Sequence, residues 1–299
     1  MKKLSISLVA FVSLVSPLTG SFAKSHDPRL PEASLEVGLT DFSGQQDDLW
    51  TGTEIRRTEP FIRLESRFLG RLYLVFQLKT SVTEDLWVRQ TYGEIESLVE
   101  GQEPLRIDVK SHLRSRFTQT YGFGLRGIIW KNPKWMLQSD VLFENTPRVD
   151  IDIKGAELVS DFQTIDLTKL VVDPEAIRAE YEWKKFDTGV KMEAAPNDRL
   201  AIYGRIGFTA LFGSIRLNYS DSFAGEVDFW AEKLTETFGW APIVLKHRFN
   251  INYYAPTFTL GAELRLWDSI SLNTSGSYTY ADEGTLWIGQ VGFIFRGDK

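Results

Sequence analysis

The sequence predicts an all-β fold, a closed antiparallel transmembrane β-barrel of about ten strands. Three observations predict it. The first is strict alternation. In Thr257 to Leu266 the residues Phe258, Leu260, Ala262, Leu264 and Leu266 are apolar, and every intervening position is polar, charged or Gly. Side chains alternate across a strand, so one face is hydrocarbon and the other carries Glu263 and Arg265. The second is the N-terminus. Lys2 and Lys3 precede the short apolar run Leu4 to Val15 and the small-x-small site Ser21-Phe22-Ala23. Residues 1–23 therefore read as a cleaved signal peptide and residues 24–299 as the barrel. The third is that charges interrupt every other apolar stretch, so no spanning helix is expected. In lipid, that leaves only a sheet with no open edge.

Composition narrows the function classes. The chain has no Cys, which excludes disulfides, thiolate metal sites and a cysteine nucleophile. A formal net charge of -6 argues against nucleic acid as a partner. Aromatic residues make up 13% of the chain, nine of them Trp, which suits interfacial girdles. No motif asks for a metal or a cofactor.

The elements follow in order. Four tight turns stand at Leu69-Gly70, Lys131-Asn132-Pro133-Lys134, Pro196-Asn197-Asp198 and Trp267-Asp268-Ser269. They alternate with longer polar connections at residues 44–53, 81–104, 146–175, 222–241 and 281–284. The strands read as Leu35–Leu39, Ile62–Phe68, Leu72–Lys79, a run ending at Trp130, Trp135–Phe143, a run ending at Ala194, Leu200–Phe212, a run ending at Leu266, Ile270–Tyr280 and Leu286–Phe295. The segment from Leu105 to Trp130 keeps one parity throughout. It is either one long strand or a hairpin that pairs with an extra strand near Leu86–Tyr92, which gives about twelve strands.

Three runs invert their pattern. Apolar residues are even-numbered from Leu200 to Phe212 but odd-numbered at Ile215, Leu217 and Tyr219. The run ending at Leu266 inverts near Pro256, and the run ending at Ala194 shifts phase around Lys184-Lys185. Each inversion lies about one bilayer crossing from the nearest tight turn. Bulges at the outer rim are expected there. Above the rim the strands extend into water, and apolar side chains turn inward.

With this arrangement the chain resembles the small outer-membrane β-barrels of Gram-negative bacteria, over nearly all of its mature length. Phe293 and Phe295 alternate as the terminal aromatics of such barrels do, although Arg296-Gly297-Asp298-Lys299 follows. The resemblance implies periplasmic termini and tight turns, and extracellular long loops. It also implies contact with outer-membrane lipid, lipopolysaccharide and the barrel-assembly machinery. The long loops are where an extracellular ligand or partner would bind.

The charged interior is the main functional lead. Arg106, Asp108, Lys110, His112, Arg114 and Arg116 share one face of one segment, and Arg126 continues it. Arg63, Glu65, Arg67, Arg205, Glu263 and Arg265 are further inward positions. They read either as a constriction for small anionic solutes or as an ion-pair network that fills the lumen. A second lead is a lid of Phe229, Trp230, Phe238 and Trp240 at the mouth. Acidic pairs such as Asp150 and Asp152 suit calcium but equally a solvated surface. The function expected is thus a narrow channel or a surface platform. The alternative is a lipid-modifying hydrolase or surface protease. The chain's only histidines are His26, in the N-terminal stretch, His112, which faces in while adjacent Ser111 faces out, and His247, which shares the apolar face of its segment, so no catalytic residue is assigned. Gly122-Phe123-Gly124-Leu125-Arg126-Gly127 fits a dinucleotide fingerprint, but it continues a strand and no helix follows.

Overall fold

The computed structural model describes residues 31–47, 51–81, 84–95, 105–115, 118–160, 164–166, 177–221, 248–281 and 284–297, with positions 224–225, 228–229, 232–233 and 236. The signal segment, His26 and His247 lie outside the described residues. The strands are β1 (Ala33–Asp47), β2 (Thr51–Leu69), β3 (Leu72–Ser81), β4 (Glu84–Ile95), β5 (Leu105–Ser115), β6 (Thr118–Lys131), β7 (Trp135–Ser160), β8 (Thr164–Asp166), β9 (Ile177–Ala194), β10 (Leu200–Tyr219), β11 (Arg248–Trp267), β12 (Ile270–Ala281) and β13 (Gly284–Gly297).

Ten of these close a ring in the order β1, β2, β3, β6, β7, β9, β10, β11, β12, β13, with β13 paired back to β1. Every pairing is antiparallel, and the ring leaves no unpaired edge, as a sheet in hydrocarbon requires. Gly70 takes the β2–β3 turn with φ of 53°, a backbone region open to glycine. At Asn132 and Asn197 the side-chain Oδ1 accepts two backbone N–H bonds each and closes the turn.

Beyond the ring, β4 pairs with β2 and β5, and β5 pairs with β7. The register Ser81↔Thr118 of β3–β6 is continued by Glu84↔Ser115 of β4–β5. So β4 and β5 prolong β3 and β6 outside the ring: Leu105–Ser115 and Thr118–Lys131 are two strands, the extra strand expected near Leu86–Tyr92 is present as β4, and the ring itself keeps ten strands. The strands also run further than the turn signals suggest. β7 continues through Thr146 to Ser160, and β8 pairs with its end.

The outward face fixes the membrane level. Phe68, Trp130, Trp135 and Trp267 are exposed near the tight turns. Tyr121, Phe143, Phe186, Phe212, Tyr254, Tyr278 and Trp287 form a second exposed belt toward the loops. On β6, Tyr121 and Trp130 stand about ten residues apart, one crossing for a tilted strand. Between the belts most outward residues are apolar, with Leu260 74% and Ile206 65% exposed.

The expected rim bulges are not where the sequence pattern inverts. On β9, Tyr181, Trp183, Lys185 and Glu193 are all buried and all odd-numbered. On β10, Thr209, Ile215 and Leu217 continue one facing. The β9–β10 and β10–β11 ladders carry no register shift. Irregularity falls instead where the pattern is unbroken. Tyr73, Val75, Lys79 and Ser81 point inward from β3, but Leu86 and Val88 do so from β4. Thr118 and Thr120 point inward from β6, but Leu113 does so from β5. On β7 the register shifts between Thr146 and Val149, across Pro147, a residue tolerated at bulges. The reason is common to both cases. Lipid demands apolar side chains outside, and water above it demands them inside. A regular strand must therefore invert its sequence pattern at the rim, and a strand that keeps its pattern must flip its facing.

The band makes a prediction. Leu260→Arg or Ile206→Arg destabilises the barrel by about 2–4 kcal/mol, while Asn252→Arg, exposed on the same face above the belt, costs about 0–1 kcal/mol. Reversible denaturant unfolding in lipid vesicles measures the difference. Equal costs at the three positions would place the band elsewhere.

Candidate functional site

Inward side chains build three layers. The lowest is a polar chamber of about 1010 Å³ that reaches the tight turns at Lys131–Lys134 and Pro196–Arg199 and extends up to Thr40, Thr257 and Ile288. Its wall is held by ion pairs between strands, many of which pass over the strand between them. Glu65 lies 2.8 Å from Arg63 and 2.7 Å from Arg126. Glu144 lies 2.5 Å from Lys79 and 3.2 Å from Lys185. Arg205 joins Asp140 at 2.5 Å and also pairs with Asp187. Arg296 pairs with Glu263 and donates to Ser271 at 2.6 Å. On the far wall Tyr203 donates to Asn273 at 2.9 Å, and Asn273 donates to Glu36 at 2.8 Å. Gly261 makes room for the Tyr203 ring, since a Cβ there would approach its Cζ to 2.3 Å.

Above the ion pairs lies a belt of buried hydroxyls. Thr209, Thr257 and Thr279 form a chain of contacts at 2.7 and 2.8 Å across β10, β11 and β12. Thr120 and Thr146 meet at 2.6 Å, and the Tyr181 hydroxyl donates to Thr118 at 2.9 Å. These groups satisfy one another where the interior changes from polar to apolar.

The third layer is an apolar cap. Phe42, Leu86, Val88, Leu113, Ala179, Tyr181, Trp183, Ile215, Leu217, Ala255 and Leu286 form one buried cluster. They come from β1, β4, β5, β9, β10, β11 and β13, so the cluster spans the bore. At its base the guanidinium of Arg57 stacks between Trp183, 3.9 Å from the ring centre, and Phe42, at 4.6 Å. Glu59 stands 3.4 Å from Arg57, and both side chains are almost fully enclosed. A void of about 50 Å³, lined almost entirely by apolar atoms, remains among Phe42, Trp183, Ile215 and Leu286.

The predicted site residues divide. Arg63, Glu65, Arg126, Arg205, Glu263 and Arg265 line the chamber. Arg67 lies at its turn-side rim, bonded to Glu32 at 3.0 Å and to the Tyr73 hydroxyl. The stretch on β5 is a correction. Leu113 faces the cap, so His112 and Arg114 face outward. Arg114 is exposed, and the His112 ring stacks flat on exposed Trp87, with centroids 4.2 Å apart. Lys110 shares their parity, opposite Arg89 on β4. They are not part of the chamber wall, because the facing flips between β6 and β5. Arg106 and Asp108 sit on β5 with side chains outside the described residues, and Arg116 lies outside them altogether. Of the lid residues, Phe229 is half exposed beneath Lys233, at 4.5 Å, and Trp230, Phe238 and Trp240 lie outside the described residues.

Sequence reasoning missed Asp140, Glu144, Lys185, Arg57 and Glu59. Asp140 and Glu144 alternate with Leu137, Val141 and Phe143, so their inward facing was readable. Arg57 and Glu59 lie next to a segment read as a loop. Lys185 sits at an inversion that concealed its facing.

Glu144 is the most heavily used carboxylate of the network. Glu144→Gln leaves Lys79 and Lys185 enclosed without their shared counter-charge, and lowers unfolding free energy by about 3–5 kcal/mol. Urea unfolding in vesicles measures it, and a change under about 1 kcal/mol would show that the network is not a structural fastening.

No family model and no curated protein sequence matches the chain. Among solved structures it is similar to the outer membrane protease OmpT of Escherichia coli, at 7% identity and a TM-score of 0.56, covering 93% of this chain and 100% of that one. It is more distantly similar to the translocator domain of the autotransporter NalP of Neisseria meningitidis, at 8% identity and a TM-score of 0.40, covering 99% of this chain and 96% of that one. The attachment invasion locus protein Ail of Yersinia pestis follows, at 8% identity and 0.37, covering 89% and 99%. At such identities the likeness is one of fold. With its closed ring, apolar band and aromatic belts, the chain has the fold of the Gram-negative outer-membrane β-barrels.

Proposed function

We propose that this protein is a non-conducting, non-enzymatic surface platform of the outer membrane. It is exported by its N-terminal signal, with the tight turns in the periplasm and the projecting strands outside the cell. The observation that carries this reading is the apolar cap. A solute path would have to cross a cluster contributed by seven strands, with Arg57 stacked between two aromatic rings at its base. Apolar constrictions bar water and ions.

The projecting strands supply the platform. Their outward face presents the Trp87–His112 stack, with Arg89, Lys110 and Arg114 on the same parity of β4 and β5. Trp and Arg are enriched where one protein meets the surface of another. The His112 ring lies flat against that of Trp87, with the two planes 3° apart.

Planar-bilayer recording tests the reading. The purified wild type is expected to give no discrete steps, and a cap-thinned variant carrying Phe42→Ala, Trp183→Ala and Ile215→Ala is expected to conduct. Regular unitary steps from the wild type would overturn the proposal in favour of a channel.

A further inference from the structure

We propose that the chamber is a binding site for a small anionic solute, carrying phosphate or carboxylate groups, that enters and leaves through the turn-side mouth. This goes beyond the platform reading and concerns the opposite end of the barrel. The chamber's volume, about 1010 Å³, is at the upper end of small-molecule sites, which span about 300–1,000 Å³. It is open among the turns, and the capped bore closes its other end.

The wall is not electrically balanced. Eleven of its lining residues are Lys or Arg and eight are Asp or Glu. Deep in the chamber the charges are matched in the pairs of Glu65, Glu144 and Arg205. At the mouth Lys131, Lys134, Arg199 and Arg265 line the chamber beside Asp198 and the already paired Glu263, so among the described lining residues the cations outnumber the carboxylates there. Cations at the entrance of a cavity with low-dielectric walls focus the field and concentrate anions.

The wall also holds polar groups without partners. Gln138 is 1% exposed, lines the chamber, and has neither amide atom bonded. Thr40, 2% exposed at the chamber's upper end, has an unbonded hydroxyl. The Nε atoms of Arg63, Arg126 and Arg265 are likewise unbonded among the described residues. Buried polar groups are normally satisfied by protein, water or ligand. The amide of Gln138 and the guanidinium groups supply the donors that a carboxylate or phosphate accepts.

Calorimetry on the full chain in nanodiscs tests this, with citrate and inorganic phosphate as the anionic probes. Glycerol is the neutral control and spermidine the cationic one. Saturable binding of one anion per chain is expected, weakening as salt is added. Arg265→Gln is expected to weaken it about tenfold, the loss of one charge-assisted contact. Lys134→Gln, on an exposed turn where folding is not at stake, weakens it less. Arg114→Gln on the outer surface leaves it unchanged. Absence of saturable binding by both anions overturns the proposal. So does equal binding by wild type, Arg265→Gln and Lys134→Gln, or tighter binding of spermidine than of either anion. None of these results bears on conductance, so the platform reading stands or falls separately.

Discussion

The edge of the lipid is the constraint on which the rest of this structure depends. Hydrocarbon offers no hydrogen-bond partners, so the ten strands that cross it pair in a closed ring. It also dictates what each face carries. Below the rim most outward residues are apolar, as at Ile206 and Leu260, and the inward ones are free to be polar. Above the rim water surrounds the sheet, so burial of apolar surface can occur only inside. The apolar cap is the result, and the same strands change from an ion-paired interior to a hydrophobic one within a few residues.

The ion-paired chamber follows from the same constraint. A small barrel needs its inner wall held in register, and side chains that reach over an intervening strand do this. Lys79 on β3 meets Glu144 on β7, Arg205 on β10 meets Asp140 on β7, and Arg296 on β13 meets Glu263 on β11. Desolvation makes each lone charge costly, so the charges are held in matched groups rather than singly. The surplus at the mouth is affordable because that end meets water.

Much of the architecture was readable because alternation and turn chemistry are local. The tight turns at Gly70, Asn132, Asn197 and Asp268 follow from residue type, and the ten strands between them follow from period-two patterning. The inward facing of Arg63, Glu65, Arg126, Arg205 and Glu263 also follows, since each is flanked by residues that must meet lipid. Lys110, His112 and Arg114 share a parity with Arg126 in the sequence, yet they face outward. Parity gives relative facing along an unbroken strand, and the strand flips its facing between β6 and β5.

The sequence by itself determined that this chain is a lipid-embedded antiparallel barrel, because an alternating apolar face and short turns are properties of neighbouring residues. Only the tertiary structure decided which side chains meet in the bore. Glu144 and Lys185, or Phe42 and Trp183, are far apart in the chain and are joined by the curvature of the closed ring. The same closure decided where a polar chamber ends and an apolar cap begins. That level is set by all ten strands together, and no single strand carries it.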